Sequence, residues 1–493
     1  AAFAWAHCSV KSSGWRPRVA DPPTVEVASC QVGPMEVNVA CLASEFVGTA
    51  LLTFTVGCTV VPGTYPGESQ NPFAVLGIAA VLTVIVYVFG PVSGAAVNPA
   101  VTLACHLTKF GPSRSKAVQY VIVQLLGGAL GGLSYWLIFG RAFNLAPGLT
   151  IHWAAALTVE FLFTFLLCLV VLNAATRFRG PPNEFYGLAI GFVILAGGYA
   201  AGWISGAVFN PAVALGVDLA SFGGGFGWCL AYWVAELAGG VAAAFLHKFL
   251  RPEEEDRPIP ADRTIHKLVC EALGSFFLVL VAVLNLAAYP RPSPAAGLSI
   301  AAALLVAIYA LGDISGGHFN PAVSLAVLLS CPPDGPRSEF RKNSFGTPTG
   351  FAQYIGAQLV GGVGGACIAV ILAAKAPVLA PQNWVSVAIA EVVFTFLLCF
   401  VVLSVCTSRS SPQNFTGFAV AFAVLVGIVA SGNFGGGALN PAVAIGIDVA
   451  QAVFSMRFGA SLGYTSCELL GAVAAAGAMF LLKPAEFVKS LPS

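Results

Sequence analysis

Ser93-Gly94-Ala95-Ala96-Val97-Asn98-Pro99-Ala100-Val101-Thr102 decides how this chain is read. Its Asn98-Pro99-Ala100 core returns as Asn210-Pro211-Ala212, Asn320-Pro321-Ala322 and Asn440-Pro441-Ala442. Each copy follows a Gly-bearing turn (Ser93-Gly94, Ser205-Gly206, Ser315-Gly316, Gly435-Gly436-Gly437) and precedes Val and an apolar run. Asn is a good N-cap and Pro is favoured at the first helical position, so each copy starts a helix. A run of about ten residues rises about 15 Å, half of a hydrocarbon core of about 30 Å. Two such half-helices entering from opposite faces would meet end to end at the midplane. Non-helical backbone at that depth is tolerated only where protein buries it or a watery cavity receives it. Two positive helix N-termini and two Asn amides then converge on one spot of a lumen. A water held there accepts two hydrogen bonds and donates to neither Asn. That breaks the chain along which protons hop, and the paired dipoles repel cations.

Upstream of each motif lies an apolar stretch with one Glu. Glu45, Glu160, Glu271 and Glu391 stand 53, 50, 49 and 49 residues before the motif Asn. Acids inside a membrane are costly and functional by default. Twelve stretches are long and apolar enough to span: roughly 40–61, 72–91, 117–139, 151–173, 185–203, 227–249, 264–288, 294–312, 350–373, 383–405, 414–430 and 457–482. One three-span unit is thus used four times. An odd span number turns alternate units upside down, which is inverted-topology architecture. A further duplication joins two six-span halves, 37–250 and 262–484, behind a segment 1–36 and ahead of a tail 485–493. The fold expected is all-α and integral to the membrane.

Composition agrees. Of 493 residues, 57 % are apolar and 9 % charged, against about 25 % charged in an average soluble protein. Mean hydropathy is +0.85. The 54 Gly suit closely packed membrane helices. A net charge of +1 without a basic stripe gives no nucleic-acid footprint. The 13 Cys lie mostly in apolar runs and suggest neither a disulfide framework nor a zinc site. No nucleophile–base constellation, Walker motif or metal cluster is found, so neither an enzyme nor a cofactor is expected. Ala1–Val10 is too short and poorly flanked for a signal peptide, and a first residue other than Met reads as a fragment or a processed chain.

Loops after the second, fourth, eighth and tenth spans carry nine basic residues, from Lys109 to Arg409, while the opposite loops carry four. The positive-inside rule then puts both termini in the cytoplasm. Asn414-Phe415-Thr416 fits the glycosylation pattern but falls on the cytoplasmic side. The acidic, Pro-bearing stretch 251–261 reads as a solvated linker. Its surroundings, Leu250–Arg263, extend at most about 46 Å.

With these motifs, together with Glu45-Phe46-Val47-Gly48-Thr49, Gln124-Leu125-Leu126-Gly127-Gly128 and Tyr232-Trp233-Val234, the chain resembles the aquaporin, or major intrinsic protein, family. The resemblance covers nearly everything beyond residue 37, twice over. It implies an hourglass channel in each half, passing water or small neutral solutes such as glycerol, urea or ammonia through the bilayer. It also implies that the four Glu brace the re-entrant loops by accepting backbone N–H bonds, with proton transfer as the alternative role. His318 then reads as another loop brace, or as a switch. Glu236 and Glu468, aligned through the inverted repeat with Gln124 and Gln358, read as packing groups bonded to a loop, or as pH-sensitive groups near the pore. Members of the family usually assemble four channel units. The linker reaches a neighbour in one ring, so two chains would supply all four.

One departure bears on selectivity. The family usually places Arg directly after the second motif of each half, and here Val213 and Val443 stand there. By family spacing the other filter positions are Ile78, Gly198 and Ala207 in the first half and Ile300, Ile428 and Gly437 in the second. Neither set holds Arg, His or an aromatic ring. The expectation is two unlike pores with wide, apolar constrictions, the first wider still because Gly198 stands where the second half has Ile428. A junction or scaffold protein that conducts little, and a twelve-span secondary transporter, are the alternative readings.

Overall fold

The computed structural model describes residues 38–63, 71–109, 111–176, 183–288, 292–331, 338–407, 413–456 and 458–484. The segments 1–36 and 485–493 therefore lie outside the described residues, as do Arg177, Arg179, Arg291, Arg337, Arg409 and Arg457 of the charge count. Among the described residues twelve helices are long and apolar enough to cross a membrane. In chain order they are Val39–Gly63, Ala74–Ser93, Arg114–Phe139, Trp153–Ala175, Tyr186–Ser205, Cys229–Leu250, Thr264–Ala287, Ala296–Ser315, Pro348–Ala373, Trp384–Val405, Thr416–Phe434 and Ser461–Leu482. Each matches an expected stretch to within a few residues.

The four motif helices are Pro99–His106, Pro211–Ala220, Pro321–Ser330 and Pro441–Ser455. The last has 15 residues, longer than expected. Each motif Asn is extended and caps its helix. Its Oδ1 accepts from the N–H two residues on, at 2.8 Å for Asn98, 3.0 Å for Asn210, 2.8 Å for Asn320 and 2.9 Å for Asn440. Small residues set how deeply these helices seat. A Cβ at Gly128 would lie 2.1 Å from the carbonyl oxygen of Ala212, and one at Gly362 would lie 2.6 Å from that of Ala442. Only Gly on the third and ninth spans lets the motif Ala approach so closely.

The described residues form one compact unit in which the halves pack side by side. The fourth and fifth spans meet the seventh and eighth. Phe185 stacks on Tyr309 with ring centroids 4.1 Å apart, and Ser299 Oγ donates to the Ala196 carbonyl at 2.7 Å. This seam explains an asymmetry of burial. Of the apolar window of the eighth span 78 % is buried, but only 22 % of that of the second span. The second span is the matching helix of the first half and has no neighbouring unit on it within the chain.

The linker departs from expectation in its first part only, since residues 256–262 are exposed. Pro252–Glu255 form a 3-10 turn in which Pro252 and Glu254 are buried. Glu255 accepts the backbone N–H of Lys109 at 2.9 Å, and the Lys109 ammonium pairs with Asp256. Arg251 is buried and grips both oxygens of Asp313 in the second half, at 2.7 and 2.9 Å. Asn173, in a π-helical turn at Val171–Ala175, accepts from Arg251 Nε at 3.4 Å and lies 2.8 Å from His247 Nδ1. The acidic run finds cations on the first half, which draws the chain down onto it.

Candidate functional site

In each half two motif helices point their N-termini at each other, and the capping Asn residues cross-link the two loops. Asn98 Nδ2 donates to the Phe209 carbonyl at 2.8 Å, and Asn210 Nδ2 to the Val97 carbonyl at 2.9 Å. The second half repeats this with Asn320 to Leu439 at 2.8 Å and Asn440 to Phe319 at 2.9 Å. A side-chain amide has two N–H groups. One is therefore spent on the opposite loop, and the other is left for a guest.

The loops are held by a set of anchors that recurs with each motif. Glu45 accepts Ser93 Oγ (2.6 Å) and the N–H of Ala96 (3.0 Å) on Oε1, and the N–H of Val97 (2.7 Å) on Oε2. Glu160 does the same for Ser205 (2.5 Å), Val208 (3.1 Å) and Phe209 (2.7 Å). Glu271 does so for Ser315 (2.6 Å), His318 (3.1 Å) and Phe319 (2.7 Å). In the fourth copy Gly435 replaces the Ser, and Glu391 takes three backbone N–H groups, of Gly437, Ala438 and Leu439. All four carboxyls are fully buried. A buried carboxylate is tolerable when such donors satisfy it. The loops need that support, because Ala95, Val97, Ala207, Phe209, Phe319 and Leu439 all hold positive φ, a strained backbone for residues with a Cβ.

The positions aligned through the inverted repeat divide the work by chemistry. Gln124 donates to Glu45 Oε2 at 2.8 Å and to Thr102 Oγ1 at 2.9 Å. Gln358 likewise serves Glu271 at 2.8 Å and Ser324 at 3.0 Å. Opposite them, Ala214 and Ala444 stand where Thr102 and Ser324 stand. With no hydroxyl to receive an amide, the partner is an acid. Glu236 accepts the N–H of Asn210 and Glu468 that of Asn440, each at 2.8 Å.

Two anchors escape a reading centred on the motif. Tyr120, Tyr232 and Tyr354 donate their hydroxyls to the carbonyls of Ser93, Ser205 and Ser315, at 3.0, 2.8 and 2.7 Å, and Tyr464 donates to that of Gly435. Each Tyr stands four residues before Gln124, Glu236, Gln358 or Glu468, and that spacing was available in the sequence. Asp218 and Asp448, each eight residues after a motif Asn, accept the N–H groups that open the last span of each half, those of Cys229 (2.8 Å) and Ser461 (2.7 Å). Tyr232 is thus a loop anchor, and Trp233 donates Nε1–H to the Pro211 carbonyl at 2.7 Å.

The second half holds a cavity between its two motif loops and its spans. Asn320 and Asn440 lie on its wall, and so do Ile300, Ile428, Gly437 and Val443 together. The structure thus gathers the four positions expected of the second filter, and the rest of the lining is mostly aliphatic. In the first half Ile78 and Ala207 are half-buried and Val213 is buried. At Gly198 a Cβ would lie 2.5 Å from Val75 Cγ1, so a Val75 methyl of the second span takes up the space beside it.

Comparison with known proteins bears on this geometry. A family model, Major intrinsic protein, matches residues 35–247 and again residues 260–479. The chain belongs to the major intrinsic protein family. It carries two tandem units of that family, each of six spans and two re-entrant half-helices in inverted repeats. Aquaporin NIP1-1 of Oryza sativa subsp. japonica is 36 % identical over 217 residues, which is 43 % of this chain and 74 % of that protein. Aquaporin-8 of Mus musculus is 32 % identical over 261 residues, or 49 % of this chain and 96 % of that protein. The X-ray structure of the aquaglyceroporin from Plasmodium falciparum aligns at 24 % identity with a TM-score of 0.39, covering 44 % of this chain and 98 % of that one. This major intrinsic protein is a multi-pass integral membrane protein of a channel family.

Proposed function

We propose that each half of the chain, 37–250 and 262–484, is a passive channel for water and small neutral solutes of the glycerol, urea and ammonia class. The observation that carries this reading is the cavity of the second half. Its wall offers the two motif Asn as hydrogen-bond donors, among aliphatic side chains and without a fixed charge at Ile300, Ile428, Gly437 or Val443. Such a wall suits a guest that is uncharged and partly apolar. Opposed helix N-termini disfavour cations. The first filter is Ile78, Gly198, Ala207 and Val213 by the same spacing. Both termini are cytoplasmic by the loop charges. Glu45, Glu160, Glu271 and Glu391 hold the lumen-lining loops in register.

Two chains supply one ring of four units. The seam inside the chain joins unlike faces, the fourth and fifth spans of one unit to the first and second of the next. The chain keeps one copy of each face open, so a second chain closes the ring by repeating that contact. Native mass spectrometry should find two chains per particle, and four chains would refute the arrangement.

The functional test is stopped-flow permeability of proteoliposomes to water, glycerol and urea, for the parent, Val213→Arg, Val443→Arg and the double variant. Arg narrows the mouth and adds charge, so the solute-to-water ratio should fall in each single variant and most in the double. A parent that conducts neither water nor solute would leave the scaffold reading standing instead.

A further inference from the structure

The two halves fill the same place from opposite helices. In the second half a Cβ at Gly297, on the eighth span, would lie 3.3 Å from Ile428 Cγ2 and 3.4 Å from Leu425 and Val429, all on the eleventh, and of these Ile428 lines the cavity. The matching pair in the first half has its sizes exchanged. Gly198 precedes Ile428 by 230 residues, as Asn210 precedes Asn440, and Val75 precedes Gly297 by 222, as Asn98 precedes Asn320. A Cβ at Gly198 would meet Val75 Cγ1 at 2.5 Å, inside van der Waals contact. The Val75 methyls therefore hold the volume a side chain at 198 would need. Packed interiors do not leave such a place empty and do not fit two side chains into it.

The first half also fixes the contact. Tyr199, next to Gly198, donates its hydroxyl to the Pro72 carbonyl at 2.8 Å. That bond ties the start of the second span to the fifth beside Val75. The matching residue, Val429, has no hydroxyl with which to do so. Val is branched at Cβ and stiff at χ1, so its methyls stay where the backbone puts them. Val75 also sits in the first turn of Ala74–Ser93, at the end of the channel remote from the linker, where the outer filter is expected.

We infer that Val75 is the side chain that sets the outer constriction of the first channel, in the place Ile428 takes in the second. It is a specificity-determining residue supplied from the second span, while position 198 on the fifth contributes none. This assignment rests on the channel reading above and goes beyond the filter positions that spacing alone names.

The test uses the full chain with channel two plugged by Val443→Trp, reconstituted in proteoliposomes, with water and glycerol flux measured by stopped flow. Val75→Gly should raise the glycerol-to-water ratio several-fold, and Val75→Ala should raise it less. Gly198→Ile alone should reduce flux through channel one, because two side chains then compete for one volume. The exchange Val75→Gly with Gly198→Ile, which copies the second half, should return flux and ratio towards the starting values. If the plugged chain conducts water but Val75→Gly and Val75→Ala leave the ratio unchanged, Val75 is helix packing and the assignment is wrong. If the plugged chain folds and melts like the unsubstituted chain but conducts nothing while that chain conducts, the first half is no channel, and the assignment falls with that reading.

Discussion

Replacing Glu45 by Gln isolates the brace from the shape of the side chain. Glu45 accepts four hydrogen bonds, two on each oxygen, from Ser93, Ala96, Val97 and Gln124, at 2.6, 3.0, 2.7 and 2.8 Å. Gln fits the same space, but one oxygen becomes an NH2 group that accepts nothing. Whichever way the amide turns, one backbone N–H, that of Ala96 or of Val97, then faces a donor, while the Ser93 hydroxyl and the Gln124 amide can turn to accept. An unsatisfied buried donor costs about 1–3 kcal/mol, which the docked loop loses. At about 1.4 kcal/mol per factor of ten, the docked population weakens roughly five-fold or more. The damage is confined to one unit, because Glu271 holds the other through its own four bonds. Stopped-flow water permeability of proteoliposomes should fall in part for Glu45→Gln, in part for Glu271→Gln, and nearly to the empty-liposome rate for the double variant. If the double variant conducts and melts like the parent, these carboxylates do not hold the loops and the reasoning fails.

Other consequences can be checked separately. Gly128→Val drives a branched side chain into the Ala212 carbonyl, 2.1 Å from where its Cβ would lie, so folded, monodisperse protein should be lost on size exclusion. Asp313→Ala leaves the buried Arg251 guanidinium without its carboxylate and should cost about 3–5 kcal/mol. Arg251→Met removes the charge itself and should cost less, so thermal melts in detergent should rank Asp313→Ala below Arg251→Met, and the reverse order would refute a clamp. Asn414 should carry no glycan in a eukaryotic host, and a mass loss there on endoglycosidase treatment would overturn the cytoplasmic placement of its loop.

The spans, the four half-helices and the bracing acids were legible because each is written four times at nearly constant spacing. An Asn-Pro-Ala start and a Glu some 50 residues upstream need no knowledge of the partner helix to be noticed. Tyr120 and its three counterparts were equally regular, but a Tyr in an apolar run reads as packing until its hydroxyl is seen to meet a carbonyl. The choice between Gln124 and Glu236 depends on whether the opposite helix offers a hydroxyl (Thr102) or a methyl (Ala214). That is a relation between residues more than 20 positions apart, and periodicity does not carry it. The first part of the linker escaped for a similar reason. Its acids look solvated in isolation, and only the fold brings Lys109 beneath them. The packing of Val75 against Gly198 is hidden in the same way, because the two lie 123 residues apart on different helices.

The seam between the halves has a consequence for biosynthesis. Ser299 and the Ala196 carbonyl that it reaches are separated by 103 residues. During synthesis the fifth span therefore enters the bilayer long before its neighbour exists, and the face that will be buried first meets lipid. What that face gives the Ser299 bond is a backbone carbonyl, already placed within its own helix. The polar side chains arrive later, on the seventh and eighth spans, where Asn285 Nδ2 donates to Ser299 Oγ at 2.9 Å. The first half can thus wait in lipid without a polar side chain of the Ser299 contact exposed, while the second brings its own pair already bonded.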